Sequence, residues 1–286
     1  MSTVVVTGAT GNIGGATVRA LLDRGHHVRA VVRDPSAQLP AGVETVVGDL
    51  DEAQTIQPSL AGVDALFLLA GYRGEQDVLD AAVAAGVTAV VLLSGGGAAA
   101  KSLDNVISRF QATAEGRVRS SGLRWTILRP HAYYTNVFRW PAIPGGGTVR
   151  VPFAEVPVAA IDPADVGTVA AVTLTEDGHA GQAYELSGPE PLRPADQVRI
   201  LRRVAGIDLS FESQPDEEAR VEMTAQMPIE YVEAFFGFYA DGNLDESAVL
   251  PTVETVTGRP PRTFAEWASA NGERLRGQSD TSGTRP

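Results

Sequence analysis

The stretch that most constrains the fold is Val4-Val5-Val6-Thr7-Gly8-Ala9-Thr10-Gly11-Asn12-Ile13-Gly14. Three consecutive valines without polar alternation suit a parallel strand covered on both faces. Glycines follow at 8, 11 and 14. In a strand-turn-helix unit the first permits a tight turn, the second lets backbone approach a pyrophosphate, and the third lets the next helix pack closely. The spacing of Ile13, Ala16, Thr17, Ala20 and Leu21 predicts a helix from about Asn12 to Asp23, stopped by Gly25. A second strand, Val28 to Val32, completes the unit. The first amides of that helix and its positive dipole end face the glycine turn and favour a phosphate there. Together these features predict a dinucleotide-binding α/β fold.

The end of the second strand selects the dinucleotide. An acidic residue about 20 positions past the glycines suits a ribose 2′-hydroxyl, as in NAD, and a basic one suits the 2′-phosphate of NADP. Arg33 comes first and Asp34 follows, so NADP is the expected cofactor, with NAD possible.

At 286 residues and 44% hydrophobic content, the chain can bury a sizeable core. A formal net charge of −12 argues against a broad nucleic-acid surface. With no cysteine there is neither a disulfide framework nor thiolate metal chemistry, which fits a reducing, cytoplasmic setting. A first strand at about Thr3 leaves no room for a signal peptide, and no apolar run approaches membrane-spanning length. The four histidines, His26, His27, His131 and His179, have no metal-ligand spacing, so no metal site is expected.

Further along, strands are expected at Glu44 to Val47, Asp64 to Leu69, Ala89 to Leu93, Arg124 to Leu128, Val156 to Ile161 and Gln182 to Leu186. A strand is also expected over 207–213. Helices are expected over 52–60, 76–86, 105–121, 195–204, 216–226 and 229–239, and residues 95–100 read as a pliable loop. Asp162, as N-cap, and Pro163 start another helix, in which Asp165 is structural. Thr263-x-x-Glu266 is a capping box for a last helix, Phe264 to about Leu275. The aromatic band of Tyr231, Phe235, Phe236, Phe238 and Tyr239, with Met223, reads as lobe core rather than a cofactor box, the alternative being that part of it roofs the pocket. The architecture expected is α/β, a doubly wound parallel sheet (Rossmann) with a smaller, interleaved C-terminal substrate lobe. Residues 1–130, with 155–186 returning, form the core. The lobe is 131–154 and 187–275, with a cleft between the two, and a polar, disordered tail covers 276–286.

The opening Val6-Thr7-Gly8-Ala9-Thr10-Gly11-Asn12-Ile13-Gly14 resembles the NmrA-like branch of the atypical short-chain dehydrogenase/reductase family. So do Val28-Arg29-Ala30-Val31-Val32-Arg33-Asp34-Pro35, Val47-Gly48-Asp49-Leu50 and Trp125-Thr126-Ile127-Leu128-Arg129-Pro130. The resemblance covers about residues 1–272 and is more specific for fold than for reaction. It implies a cofactor site of Gly8, Thr10, Gly11, Asn12, Ile13, Gly14, Arg33, Asp49, Leu50, Ala70, Gly71, Ser94 and Pro130. It also implies that Asp49 meets the adenine amino group, although Asp49 and Asp51 equally suit the N-cap of the next helix. Ser94 is placed by the same resemblance near nicotinamide and substrate, while Ser-Gly-Gly-Gly also suits a turn that bonds its own backbone. His131, Tyr133 and Tyr134 either face the substrate or pack the lobe on the core.

The Tyr-x-x-x-Lys pair of better-known short-chain dehydrogenases is absent: the single lysine is Lys101 and position 97 is Gly97. No Gly-x-Ser-x-Gly elbow surrounds Ser94. The function expected is an NAD(P)H-dependent reductase passing hydride to a small cyclic or aromatic acceptor such as a quinone, enone or ketone. Ser94, His131 and Tyr133 are the candidates for orienting it or supplying a proton. The alternative is a non-catalytic NAD(P)-sensing regulator that binds a protein partner.

Overall fold

The computed structural model describes residues 1–277. In chain order the elements are β1 (Thr3–Val6), α1 (Asn12–Asp23), β2 (His27–Val32), β3 (Glu44–Val47), α2 (Ala53–Ile56), β4 (Ala65–Leu69), α3 (Glu75–Ala84), β5 (Ala89–Leu93), α4 (Val106–Ser120) and β6 (Arg124–Pro130). There follow β7 (Gly147–Val151), α5 (Pro163–Thr175), β8 (Gln182–Leu186), α6 (Pro194–Ala205), β9 (Leu209–Ser213), α7 (Asp216–Thr224), α8 (Ile229–Tyr239), α9 (Thr252–Thr257), α10 (Phe264–Ala270) and α11 (Gly272–Leu275). They fall into two units. The first holds Met1–Pro130, Pro163–Leu186 and Pro251–Pro260, and the second holds His131–Asp162, Ser187–Leu250 and the chain from Pro261.

The first unit is a seven-stranded sheet of order β3-β2-β1-β4-β5-β6-β8, in which every pair is parallel. Parallel strands buried on both faces require continuous apolar runs, and Val4-Val5-Val6 and Leu66-Phe67-Leu68 are all below 1% exposed. Side chains alternate across the sheet. Val5, Leu66, Leu68, Val90, Leu92 and Ile127 join one cluster with Ile56, Val78, Leu79, Ala114 and Val118 of α2, α3 and α4. Residues of the other parity turn towards α5, which packs on β4, β5 and β6 and against α1. Small residues let α1 and α5 approach closely: a Cβ at Gly167 would lie 2.6 Å from the Ala16 carbonyl carbon. This is the Rossmann-like α/β architecture.

The second unit contains the two-stranded parallel sheet β7-β9, with no strand foreseen at Gly147–Val151. Its core joins Tyr134, Val137, Val149, Leu201 and Leu209 to Phe264 and Trp267. A smaller cluster joins Ala219 of α7 to Val232 and Phe236 of α8.

Several expectations are corrected. Residues 156–161 do not form a strand; they make only the isolated bridges Tyr133↔Ile161 and Val158↔Leu192. Pro157 has no N–H to offer a ladder. The segment before Pro163 consequently lies in the second unit rather than with the sheet, and α9 lies in the first. The helix expected over 52–60 ends at Ile56 and continues as a 3-10 turn through Leu60, with Pro58 supplying no N–H. Residues 96–99 form a short 3-10 turn instead of an open loop. The capping box is formed, Thr263 Oγ accepting from Glu266 N–H and Glu266 Oε2 from Thr263 N–H, but the last helix is divided at Asn271. Of the expected tail, 278–286 lies outside the described residues. Among the described residues no helix is long and apolar enough to cross a membrane.

Candidate functional site

The sheet order reverses direction of growth between β1 and β4, and in such sheets ligands bind outside the carboxyl ends of the strands at that point. A cavity of about 210 Å³ lies there, lined by Gly8, Thr10, Gly11, Arg33, Asp49 and Leu50 of the expected set. Leu69 at the end of β4 and Tyr72 just past it also line the cavity. Gly8 has φ +63°, the left-handed region, so its turn needs a residue without Cβ. A Cβ at Gly14 would collide with the Gly8 carbonyl, so α1 can begin this close to the turn only with glycine there. Its first turn carries no acidic residue and no side-chain cap. Backbone amides near a positive dipole end, in a cradle closed to side chains, fit the phosphates of a dinucleotide. Asn12 and Ile13 open that turn.

The cation at the rim is Arg33, which is exposed. Asp34 is engaged locally, its Oδ1 accepting from Ser36 N–H at 2.8 Å and from Ser36 Oγ at 2.7 Å. Those two bonds hold its carboxyl below the usual range. Asp49 is not the N-cap of α2, a position taken by Glu52; its Oδ1 accepts from Asp51 N–H at 2.9 Å.

Further along the same edge, Ala70 N–H donates to Leu93 O at 3.1 Å, and Gly71 has φ +100°. The loop is fixed by Glu75, 2% exposed, whose Oε1 accepts from the amides of Gly71 and Tyr72, the latter at 3.1 Å. Arg117 Nη1 pairs with the other oxygen of Glu75 at 2.9 Å. At the end of β5, Ser94 is buried and makes neither a turn bond nor an open hydroxyl: its Oγ donates to Glu115 Oε1 at 2.9 Å. Glu115 also takes two bonds from Arg129, 2.8 and 2.7 Å, and one ion pair from Arg119, 2.9 Å. Burial pushes the Glu115 pKa up, but the Arg129 and Ser94 hydrogen bonds and the two guanidinium charges outweigh it, and the net shift is down. The Ser94 proton is thus committed to a carboxylate, leaving its oxygen free only to accept. Pro130 closes β6, buried beside Leu186.

His131 and Tyr133 belong to the second unit. His131 is buried and Tyr133 half-buried, while Tyr134 is core: it is fully buried, donates to Arg262 O at 3.1 Å and packs edge-on to Phe264. Burial, reinforced by the nearby Glu246 carboxylate, pushes the Tyr133 phenol well up. Glu246 is 5% exposed. Its carboxyl accepts from Tyr239 Oη at 2.9 Å and from the Ala132 amide, yet burial outweighs both and pushes it up to about 7. Tyr239 in turn lines an apolar cavity of about 340 Å³ with Trp140, Phe153, Met223, Met227 and Phe235. The aromatic band therefore splits, Phe236 and Phe238 buried as core and Phe235 and Tyr239 on the cavity wall.

Tyr72, Glu75, Glu115 and Glu246 were not singled out by the sequence, which marked Tyr239 only as one of the aromatic band. Glu75 carried a faint signal, an acid in the first turn of a helix behind Gly74. Glu246 carried none, sitting among the acids of a loop.

The sheet order, the glycine turn and the cradle at α1 define a Rossmann-type nucleotide-binding protein. The chain belongs to the NmrA-like family, whose model matches residues 1–268. It is 38% identical over 94% of its length to 98% of a (4-alkanoyl-5-oxo-2,5-dihydrofuran-3-yl)methyl phosphate reductase from Streptomyces griseus. It is 36% identical over 94% of its length to 97% of an NAD(P)H azoreductase from Xenophilus azovorans. Among solved structures, an NADPH-dependent quinone oxidoreductase from Escherichia coli shares the fold, with TM-score 0.75 over 93% of this chain and 98% of that one, at 23% identity.

Proposed function

We propose that the chain is an NAD(P)H-dependent reductase, preferring NADP, that passes hydride to a small cyclic or aromatic acceptor such as a quinone, enone or ketone. The observation that carries the cofactor preference is Arg33 on the wall of the switch-point cavity, with Asp34 engaged by Ser36. Gly8, Thr10, Gly11, Asn12, Ile13 and Gly14 hold the pyrophosphate, Asp49 and Leu50 face the adenine, and Ala70, Gly71, Ser94 and Pro130 border the rest. The bound dinucleotide supplies the hydride; the chain supplies orientation and a proton. Reductase names on the two relatives above 30% identity support the reaction class. The first of these names contains a conjugated lactone, an electrophile that needs less proton assistance than a simple ketone, and the second names an azo acceptor.

Ser94 acts as a hydrogen-bond acceptor, fixed by Glu115, and His131 and Tyr133 orient the acceptor or deliver the proton. Replacing Tyr133 with Phe tests the last role: turnover with a quinone should fall about tenfold or more, with NADPH affinity unchanged. Unchanged turnover removes Tyr133 from the chemistry.

A further inference from the structure

The pair Tyr239–Glu246 has no part in the reading above, and three independent features point to a ligand beside it. The cavity of about 340 Å³ has the size of a small-molecule site and a mainly apolar wall, the usual make-up of such sites. Phe153, on that wall, holds φ 58°, a conformation that a bulky residue rarely adopts and that structures keep where it serves a purpose. This backbone sets its ring 4.9 Å edge-on to Phe236 and 5.4 Å from Tyr239. Behind Tyr239 stands a buried carboxyl. The groups facing Glu246 are Tyr239 from α8, the Ala132 amide and Tyr133 from the segment that begins at His131; no basic side chain pairs with it among the described residues.

From these we propose that the cavity beside α8 binds an uncharged, planar, conjugated carbonyl compound against Phe153 and Trp140, with its oxygen accepting a hydrogen bond from Tyr239. The site rests on its own lining and not on the reductase reading, and it shares no residue with the nucleotide-end cavity. A flat ring matches the aromatic wall. A carboxylate at the Tyr239 end would favour protonation of Glu246 at its own cost and would meet the charge once Glu246 ionises, so a neutral oxygen is selected. Glu246 also gates the hydrogen bond. When ionised, it draws the Tyr239 proton to itself. When protonated, it donates to the Tyr239 oxygen and frees that hydroxyl for the ligand. Affinity should therefore be highest at low pH and fall as Glu246 ionises.

The test is quenching of tryptophan fluorescence by 2-methyl-1,4-naphthoquinone, titrated into the full chain without NADPH across pH 5.5–8.5 (a window of roughly 1.5 units either side of the group's midpoint). Quenching should saturate, shrink in Trp140→Phe, and be weaker for the 2-carboxylate analogue. Tyr239→Phe should weaken binding about fivefold at low pH, the worth of one neutral hydrogen bond, and Glu246→Gln should bind with no pH dependence. Absence of saturable quenching, or quenching untouched by Trp140→Phe, overturns the site. Equal affinity of wild type and Tyr239→Phe, or an unchanged pH profile in Glu246→Gln, overturns the dyad. NADPH oxidation by the same quinone is scored separately: saturable quenching without oxidation contradicts the reductase reading and leaves the site standing.

Discussion

Arg33 and Glu115 illustrate two uses of charge at the single-residue scale. Arg33 is exposed, so its value lies in what it can meet, and a 2′-phosphate offers a charge-assisted hydrogen bond worth about 1.5–3 kcal/mol. Arg33→Ala should weaken NADP binding about ten- to a hundredfold and leave NAD nearly unaffected, as read by calorimetric titration with each. Equal weakening of both would show that Arg33 does not read the phosphate. Glu115, by contrast, is 1% exposed and satisfied on every side. Neutralising it leaves Arg129 and Arg119 facing each other around a neutral amide, and breaking a buried pair in this way costs about 3–5 kcal/mol. Glu115→Gln should lower Tm substantially in a thermal melt. Little change in Tm would mean that the network adds no stability. Glu75 was only faintly legible from the sequence and Glu115 not at all, because the partners that tie each to the rest of the unit lie far along the chain: Arg117 is 42 residues from Glu75, and Ser94 21 residues from Glu115.

Helix-on-helix packing decides which glycines matter at the scale of elements. Gly167 of α5 and Gly116 of α4 both sit inside helices, where Ala is intrinsically better by about 1 kcal/mol. At Gly116 a Cβ meets nothing within 4 Å, so Gly116→Ala should raise Tm. At Gly167 a Cβ would press on the backbone of α1, within 2.7 Å of Thr17 N, and backbone cannot swing aside as a flexible side chain can. Overpacking of about 1–3 kcal/mol outweighs the propensity gain, and Gly167→Ala should lower Tm. The opposite order of the two melting temperatures would contradict this account of α1–α5 contact. Periodicity made α1, β2, β5 and α8 readable, because each repeats its pattern over a single segment. It misled at 156–161, where Val156, Val158 and Ile161 suggested a strand and Pro157 removed the donor that a ladder needs. It was silent on β7, whose Gly147-Thr148-Val149-Arg150-Val151 opens on the last of three glycines and pairs with a strand 62 residues on.

For the whole molecule, two buried carboxyls bound stability from opposite sides of pH. The folded-state pKa of Glu115 is depressed, so its contribution is present above the ordinary value of 4.5 and is lost as pH falls through the folded value. That of Glu246 is raised to about 7, so its contribution is present below 4.5 and is lost as pH rises from there through about 7. The −12 net charge adds self-repulsion at neutral pH without bearing on fold. The nucleotide end was the most legible part of the molecule, because glycine spacing and strand-helix order are local. The acid dyad in the second unit was not, because burial, which makes Glu246 unusual, is a property of the folded chain. The central claim, reduction by NADPH, is tested most directly by following NADPH absorbance with a panel of quinones, enones and aromatic ketones, with NADPH affinity measured on the same sample. Turnover with at least one conjugated acceptor, faster with NADPH than with NADH, is the result expected. Tight NADPH binding with no oxidation across the panel would contradict it and favour a nucleotide-sensing role.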